Sequence, residues 1–187
     1  PSTVNKNLTE EQTMVEKNTD APTLELDENI SEVSRKDALN QSKRVYFENK
    51  NIIGSISLVG GTIDDLTFKN YTETLNGEDN VTLLHPRSFL EGYLVETGWA
   101  TTNKNIDVPN FRTKWDIEGN NKLSPNNPIK LVWENKQKIK FEKLISLDDE
   151  YLFTIKQQVI NSSDKSYSFY NYGQIIRNKV PKIQNFF

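Results

Sequence analysis

Every one of the 19 Phe, Trp and Tyr residues lies at or beyond Tyr46, so only one part of this 187-residue chain holds the large apolar groups a core needs. Residues 1–43 instead carry nine Asp or Glu, from Glu10 to Asp37, against five Lys or Arg. A segment this acidic and this poor in bulky side chains buries too little surface to offset its ordering entropy, and it reads as a flexible acidic linker. The alternative is a short helix from about Asn29 to Leu39, resting on the weak stripe Ile30, Val33 and Leu39. Residues 44–187, with 17 acids and 18 bases, are nearly neutral and read as one folded, water-soluble domain.

Within that domain the apolar residues come in short runs separated by turn residues. Val45-Tyr46-Phe47 reads as a strand, and Asn49-Lys50-Asn51 as a turn into a second strand, Ile52 to Val59. Gly60-Gly61 supplies the positive φ that tight hairpin turns require. Ile63 to Phe68 follows, with Ile63, Leu66 and Phe68 as core candidates, then Val81 to Leu84, Tyr93 to Thr101 and Ile129 to Trp133. Ile139 to Leu147 and Tyr151 to Ile160 flank the polar turn Asp148-Asp149-Glu150. In the second of these, Tyr151, Phe153, Ile155 and Val159 alternate with polar residues, which sends one face to the core and one to water. Asn161 to Lys165 turns the chain into Tyr167 to Ile176, and turn-rich insertions fall at 102–112 and 118–128. Many short strands without a long helix or an internal repeat predict an all-β chain folded as a large antiparallel sandwich.

The residue inventory narrows the chemistry. A formal charge of −3 provides no basic footprint for nucleic acid. With no Cys, thiol nucleophiles, disulfides and cysteine-based zinc sites are excluded. No run approaches the ~18 apolar residues of a membrane-spanning helix. The chain opens on Pro1 and closes on the apolar Ile183-Gln184-Asn185-Phe186-Phe187, and it reads as a fragment of a longer protein.

His85 is the only histidine, sits before Pro86 at a strand end, and reads as a surface or turn residue. Gly-x-Ser-x-Gly, Gly-x-Gly-x-x-Gly and Walker sequences are all absent. Asp64-Asp65 and Asp148-Asp149-Glu150 lack the spacing of a calcium loop and read as solvated turn acids. Strand alternation moreover points Asp64 and Asp65 to opposite faces, away from a shared ion and away from a glycosidase-like pairing. The aromatics Trp99, Trp115, Trp133, Tyr170 and Tyr172 read as core or sheet-face residues rather than a sugar or peptide groove. Asn-x-Ser/Thr at Asn7, Asn29, Asn40, Asn70, Asn80 and Asn161 is ascribed to the abundance of Asn. No catalytic, cofactor or metal residue is assigned.

Six pieces carry a family resemblance through their order and spacing rather than through any chemical motif. They are GSISLVGGTIDDLTFKNY from Gly54, TLLHP from Thr82, ETGWA from Glu96, LSPNNPIKLVWEN from Leu123, SLDDEYLFTIKQQVINSS from Ser146 and YNYGQIIRN from Tyr170. Over roughly residues 44–180 the chain resembles the large periplasmic domain of the bacterial membrane protein insertase YidC, in its alphaproteobacterial form. The resemblance implies a β-supersandwich similar to galactose mutarotase, on the outer face of the inner membrane. It makes residues 1–43 the linker after a first membrane helix, with membrane attachment only through helices absent from this chain. It implies a parent that inserts and helps fold membrane proteins, alone or with the Sec translocon, and partners that include the SecDF accessory complex and nascent membrane proteins. It implies a surface cleft and no catalytic residue. The alternative on the same fold is a carbohydrate-binding or aldose-epimerase-like sandwich, although one histidine leaves an epimerase's proton-transfer set incomplete.

Overall fold

The computed structural model describes residues 33–179, so residues 1–32 of the acidic segment and 180–187 lie outside the described part. The first element is a short helix, α1 (Arg35–Asn40), whose N-cap Ser34 accepts the Asp37 amide through its hydroxyl at 3.1 Å. This helix begins at Arg35, where a capping serine can satisfy the free amides, and residues 29–32 of the predicted helix lie outside the described part. It buries Ala38, and Arg35 forms an ion pair with Asp65 of the adjacent sheet.

Among the described residues eleven strands follow: β1 (Arg44–Glu48), β2 (Ile52–Ser57), β3 (Thr62–Thr72), β4 (Asn80–Leu84), β5 (Tyr93–Ala100), β6 (Asp116–Glu118), β7 (Lys122–Leu123), β8 (Ile129–Glu134), β9 (Ile139–Leu147), β10 (Phe153–Asn161) and β11 (Tyr170–Arg177). They form two sheets. A seven-stranded sheet runs β11-β5-β3-β2-β1-β7, with β4 also paired to β3, and a four-stranded sheet runs β10-β9-β8-β6. The protein is an all-β two-sheet sandwich. All pairings are antiparallel except β1 with β7, which are parallel at Tyr46–Lys122 and Phe47–Leu123.

The strands β6 and β7 were not legible in the sequence. The second lies in the polar stretch 118–128, where Leu123 is the lone apolar signal, yet that side chain is fully buried. The predicted strand to Val59 stops at Ser57, leaving a four-residue connection, 58–61, before β3. Gly60 and Gly61 do carry positive φ, +79° and +60°. The connection is tied down rather than free: Gly60 donates to the Thr113 carbonyl at 2.8 Å and Trp115 donates to the Leu58 carbonyl at 2.8 Å.

The turns at one end of the sandwich hold the sheets together. The Asn49 carboxamide oxygen accepts the Asn51 and Ile52 amides, closing the β1–β2 turn from within. Its amide nitrogen reaches across to the Asp148 and Glu150 carbonyls, each at 2.9 Å, on the β9–β10 turn of the other sheet. Lys50 and Glu150 pair above this latch.

Inward residues of both sheets form a single core. Its densest part is aromatic. The Phe141 ring of β9 lies 5.2 Å from Trp99, 5.7 Å from Trp133 and 5.4 Å from Phe169. Trp99 and Trp115 are buried, as core aromatics.

Candidate functional site

A buried polar network covers the outer face of the seven-stranded sheet beneath α1. Ser55 pairs with Asp65, but the next pair is Ile56 with Ile63, so Asp64 is the extra residue of a β-bulge. The expectation that Asp64 and Asp65 face opposite ways is thereby overturned, because a bulge cancels the alternation of a regular strand. Both carboxylates are buried and both meet guanidinium groups: Asp64 pairs with Arg44, and Asp65 with Arg35. Ser55 links the two pairs, accepting from Arg44 Nε at 2.7 Å and donating to Asp65. Burial pushes the Asp64 carboxyl up, against the pull of Arg44. Two acids matched by two arginines make a neutral structural lock rather than a cation site.

The other candidate residues are scattered. His85 sits at the end of β4, half-buried and bridged to Tyr93, with its ring 5.3 Å from Phe89. Burial, then Arg35, lowers its pKa and favours the neutral ring. Asp148 closes its own turn by accepting the Glu150 and Leu152 amides. Tyr170 is exposed, and Tyr172 donates to Glu96, which also accepts from Gln174 and pairs with Arg87. Burial and the Glu96 charge raise the Tyr172 pKa. Among the described residues, no group of three or more His, Asp or Glu is placed to hold a metal ion.

Lys143 was not legible as a site in the sequence. Lys143 is buried on β9, and its ammonium donates to the Thr97 carbonyl at 2.6 Å, Gly61 at 3.1 Å and Gly60 at 3.4 Å, lying 4.9 Å over the Trp115 ring. It ties the four-stranded sheet to the seven-stranded one. Burial pushes its pKa down to about 8, against the opposing charge of Glu96. A lysine inside a strand that otherwise alternates Ile139, Phe141 and Ile145 is the one signal that could have found it.

An apolar groove of about 820 Å³ lies between the sheets. Ile63, Leu66 and Phe68 of β3, Leu84 of β4, Tyr93 and Val95 of β5, and Ile175 of β11 line one side. Phe153 and Ile155 of β10, with Tyr151 of the preceding turn, line the other. All fourteen lining side chains are aliphatic or aromatic, and tyrosine hydroxyls are the only polar groups among them. Gln157, next inward-facing residue after Ile155, donates to the Gly98 carbonyl at 2.8 Å and marks where the groove gives way to closed core.

The strands flanking this groove are unlike the other sheet edges. Among the described residues, the far edges are short: β7 has two residues and β6 three. The groove-side edges, β10 with nine residues and β11 with eight, are long and pair in unbroken register on their inner sides. Neither contains a proline or a bulge, the usual devices that keep an edge from pairing further. A smaller polar recess of about 220 Å³ includes Arg44, Arg87 and Arg112, but Asp64 and Glu96 already neutralise the first two.

Fold and groove define a class: an all-β sandwich domain with an apolar seat between two long sheet edges. Residues 44–187 match the family described as the YidC periplasmic domain. The chain is 56% identical over its full length to the membrane protein insertase YidC of Pelagibacter ubique. It is 36% identical to the proteins of that name from Mesorhizobium japonicum and Brucella suis, over 82% and 80% of its length. It spans 33% of the Pelagibacter protein, and 26% and 25% of the other two. The chain belongs to the YidC periplasmic domain family, which places it on the periplasmic side of the bacterial inner membrane. No described helix is long and apolar enough to cross a membrane.

Proposed function

We propose that this domain is a non-catalytic accessory module of a membrane protein insertase. It contacts other polypeptide on the periplasmic face while its parent inserts and helps fold inner-membrane proteins, alone or with the Sec translocon and SecDF. Nascent membrane proteins are the clients of the parent.

The observation that carries this reading, beside family membership, is the groove. Among the described residues its lining has no charged group, and the sheet-edge strands β10 and β11 flank it. Extended polypeptide suits both features, because strand edges supply main-chain hydrogen bonds and an apolar seat takes alternate side chains. A sugar needs convergent polar groups, which this lining does not offer.

Fractionation of source cells with an antibody to the domain tests the assignment. The expected result is a membrane-bound band far heavier than 21.6 kDa, protease-accessible only after the outer membrane is disrupted. A soluble band near that mass, or saturable heat on titrating oligosaccharides, would overturn it.

A further inference from the structure

Four arginines gather around α1 and the loops beside it, and three of them have an acid of their own. Arg35 pairs with Asp65, Arg44 with Asp64 and Arg87 with Glu96. Arg112 has no acidic partner among the described residues. Arg44, Arg87 and Arg112 all line the recess of about 220 Å³ beside α1, so one guanidinium charge there is left over once Asp64 and Glu96 are counted.

The structure holds that excess charge in place. The Arg87 and Arg112 guanidinium groups both lie over the Phe111 ring, 5.0 and 4.7 Å from its centre, so one ring keeps two cations close together. The backbone presenting Phe111 and Arg112 is a closed turn. The Arg112 amide donates to the Asn110 side-chain oxygen at 2.9 Å, and the Thr113 amide donates to the Asn110 carbonyl at 3.0 Å. The Gly60 amide then ties the Thr113 carbonyl to the connection after β2. Arg87 spends one terminal nitrogen on Glu96, and no other bond of its guanidinium is formed among the described residues. Hydroxyl groups and the buried Arg44, whose side chain is 4% exposed, make up much of the remaining wall. Asp64, the one acid in the lining, is already engaged by Arg44.

Like charges gathered at one ring repel unless an anion lies between them, and guanidinium forks match the oxygens of a phosphate group. We propose that this recess binds a phosphate group, held between Arg87 and Arg112. Inorganic phosphate and the headgroup of an anionic phospholipid share that chemistry, and a domain on the periplasmic side of a membrane can meet either. The site is separate from the groove between the sheets and does not depend on what occupies it.

Titration of the whole 187-residue chain with inorganic phosphate, at constant ionic strength balanced by chloride, tests the proposal. Saturable amide shifts are expected at residues 87–88 and 111–113. Arg112→Gln should weaken the affinity roughly ten-fold, the scale of one charge-assisted contact. Arg112 is exposed and outside every described ion pair, so circular dichroism should stay native. Arg112→Lys, which keeps the charge and loses the fork, should recover part of the loss. Lys165→Gln, an exposed cation on the β10–β11 turn, should change nothing.

Phosphatidylglycerol vesicles separate the two sources. Co-sedimentation that Arg112→Gln abolishes and free phosphate competes away assigns the headgroup; saturable phosphate binding without co-sedimentation assigns the free ion. Shifts that never saturate in the millimolar range, or that Arg112→Gln leaves unchanged, overturn the proposal as charge screening alone. Succinate binding as tightly as phosphate overturns it in favour of a carboxylate, and so of an acidic polypeptide.

Discussion

Between the same two sheets, the interior past Gln157 and the groove before it use similar side chains to different ends. In the closed half, Phe141 meets three aromatic rings, and Lys143 and Gln157 bond across the gap to backbone carbonyls of the facing sheet. In the open half, Phe68, Tyr93, Val95 and Ile155 are only partly buried, and the bond from β10 to the facing sheet, Gln157 to Gly98, lies beyond the groove. Hydrophobicity alone does not close a sandwich. The polar ties that hold the sheets at a fixed spacing lie in one half and at the turn latch around Asn49, and the span between them is left to apolar contact.

The largest test of this contrast is a pair of truncations. Phe141→Ala should destabilise the domain by about 3–5 kcal/mol, and Phe68→Ala in the groove by only about 1–2 kcal/mol, as urea unfolding reads them. Equal losses would mean that both halves are packed alike.

Lys143 supplies a pH test of the closed half. In the unfolded chain its ammonium keeps the ordinary value of 10.5, whereas burial lowers it to about 8 in the fold. Between those values the unfolded chain binds the extra proton, so this group makes stability rise with pH across the window, by on the order of 3 kcal/mol in all. Below pH 8 both states are protonated and the full burden of the buried charge is present. Lys143→Met should remove that rise relative to the parent chain in unfolding titrations between pH 7 and 10.5; a parallel pair of curves would show the ammonium to be solvated.

Asn49→Ala should be next in size, at about 1–3 kcal/mol, since it strips an internal turn bond and the latch to the β9–β10 turn together. Hydrogen exchange should then rise at both turns; a rise at the β1–β2 turn alone would mean that the latch does not couple the sheets. The smallest effect belongs to Gln157→Leu. Losing one bond to Gly98 should lower stability by about 1 kcal/mol and lengthen the groove toward Trp99, which a red-shifted tryptophan emission would report.

Strand positions were largely legible because alternation at β10, turn residues at Asn49, Asp148 and Asn161, and paired glycines at 60–61 are local properties. The family was legible for a related reason: six pieces in order constrain a comparison even when none is a chemical motif. The bulge at Asp64 was not legible, since one extra residue leaves no compositional trace, and it reversed the expected direction of a carboxylate. The short strands β6 and β7 were lost in polar loops because their burial is granted by distant partners, β8 and β1.

The sequence by itself determined that residues from Tyr46 onward would make a β domain, that the acidic stretch before it would supply no aromatic core, and to which family the chain would be compared. Only the tertiary structure decided which apolar faces were satisfied. Whether Ile175 or Ile145 ends up covered depends on what the opposite sheet places above it, and that is a matter of registers and bulges summed over strands far apart in the chain. The same holds for Lys143, whose three carbonyl partners come from two strand regions more than forty residues away and exist as a site only once the sheets have met.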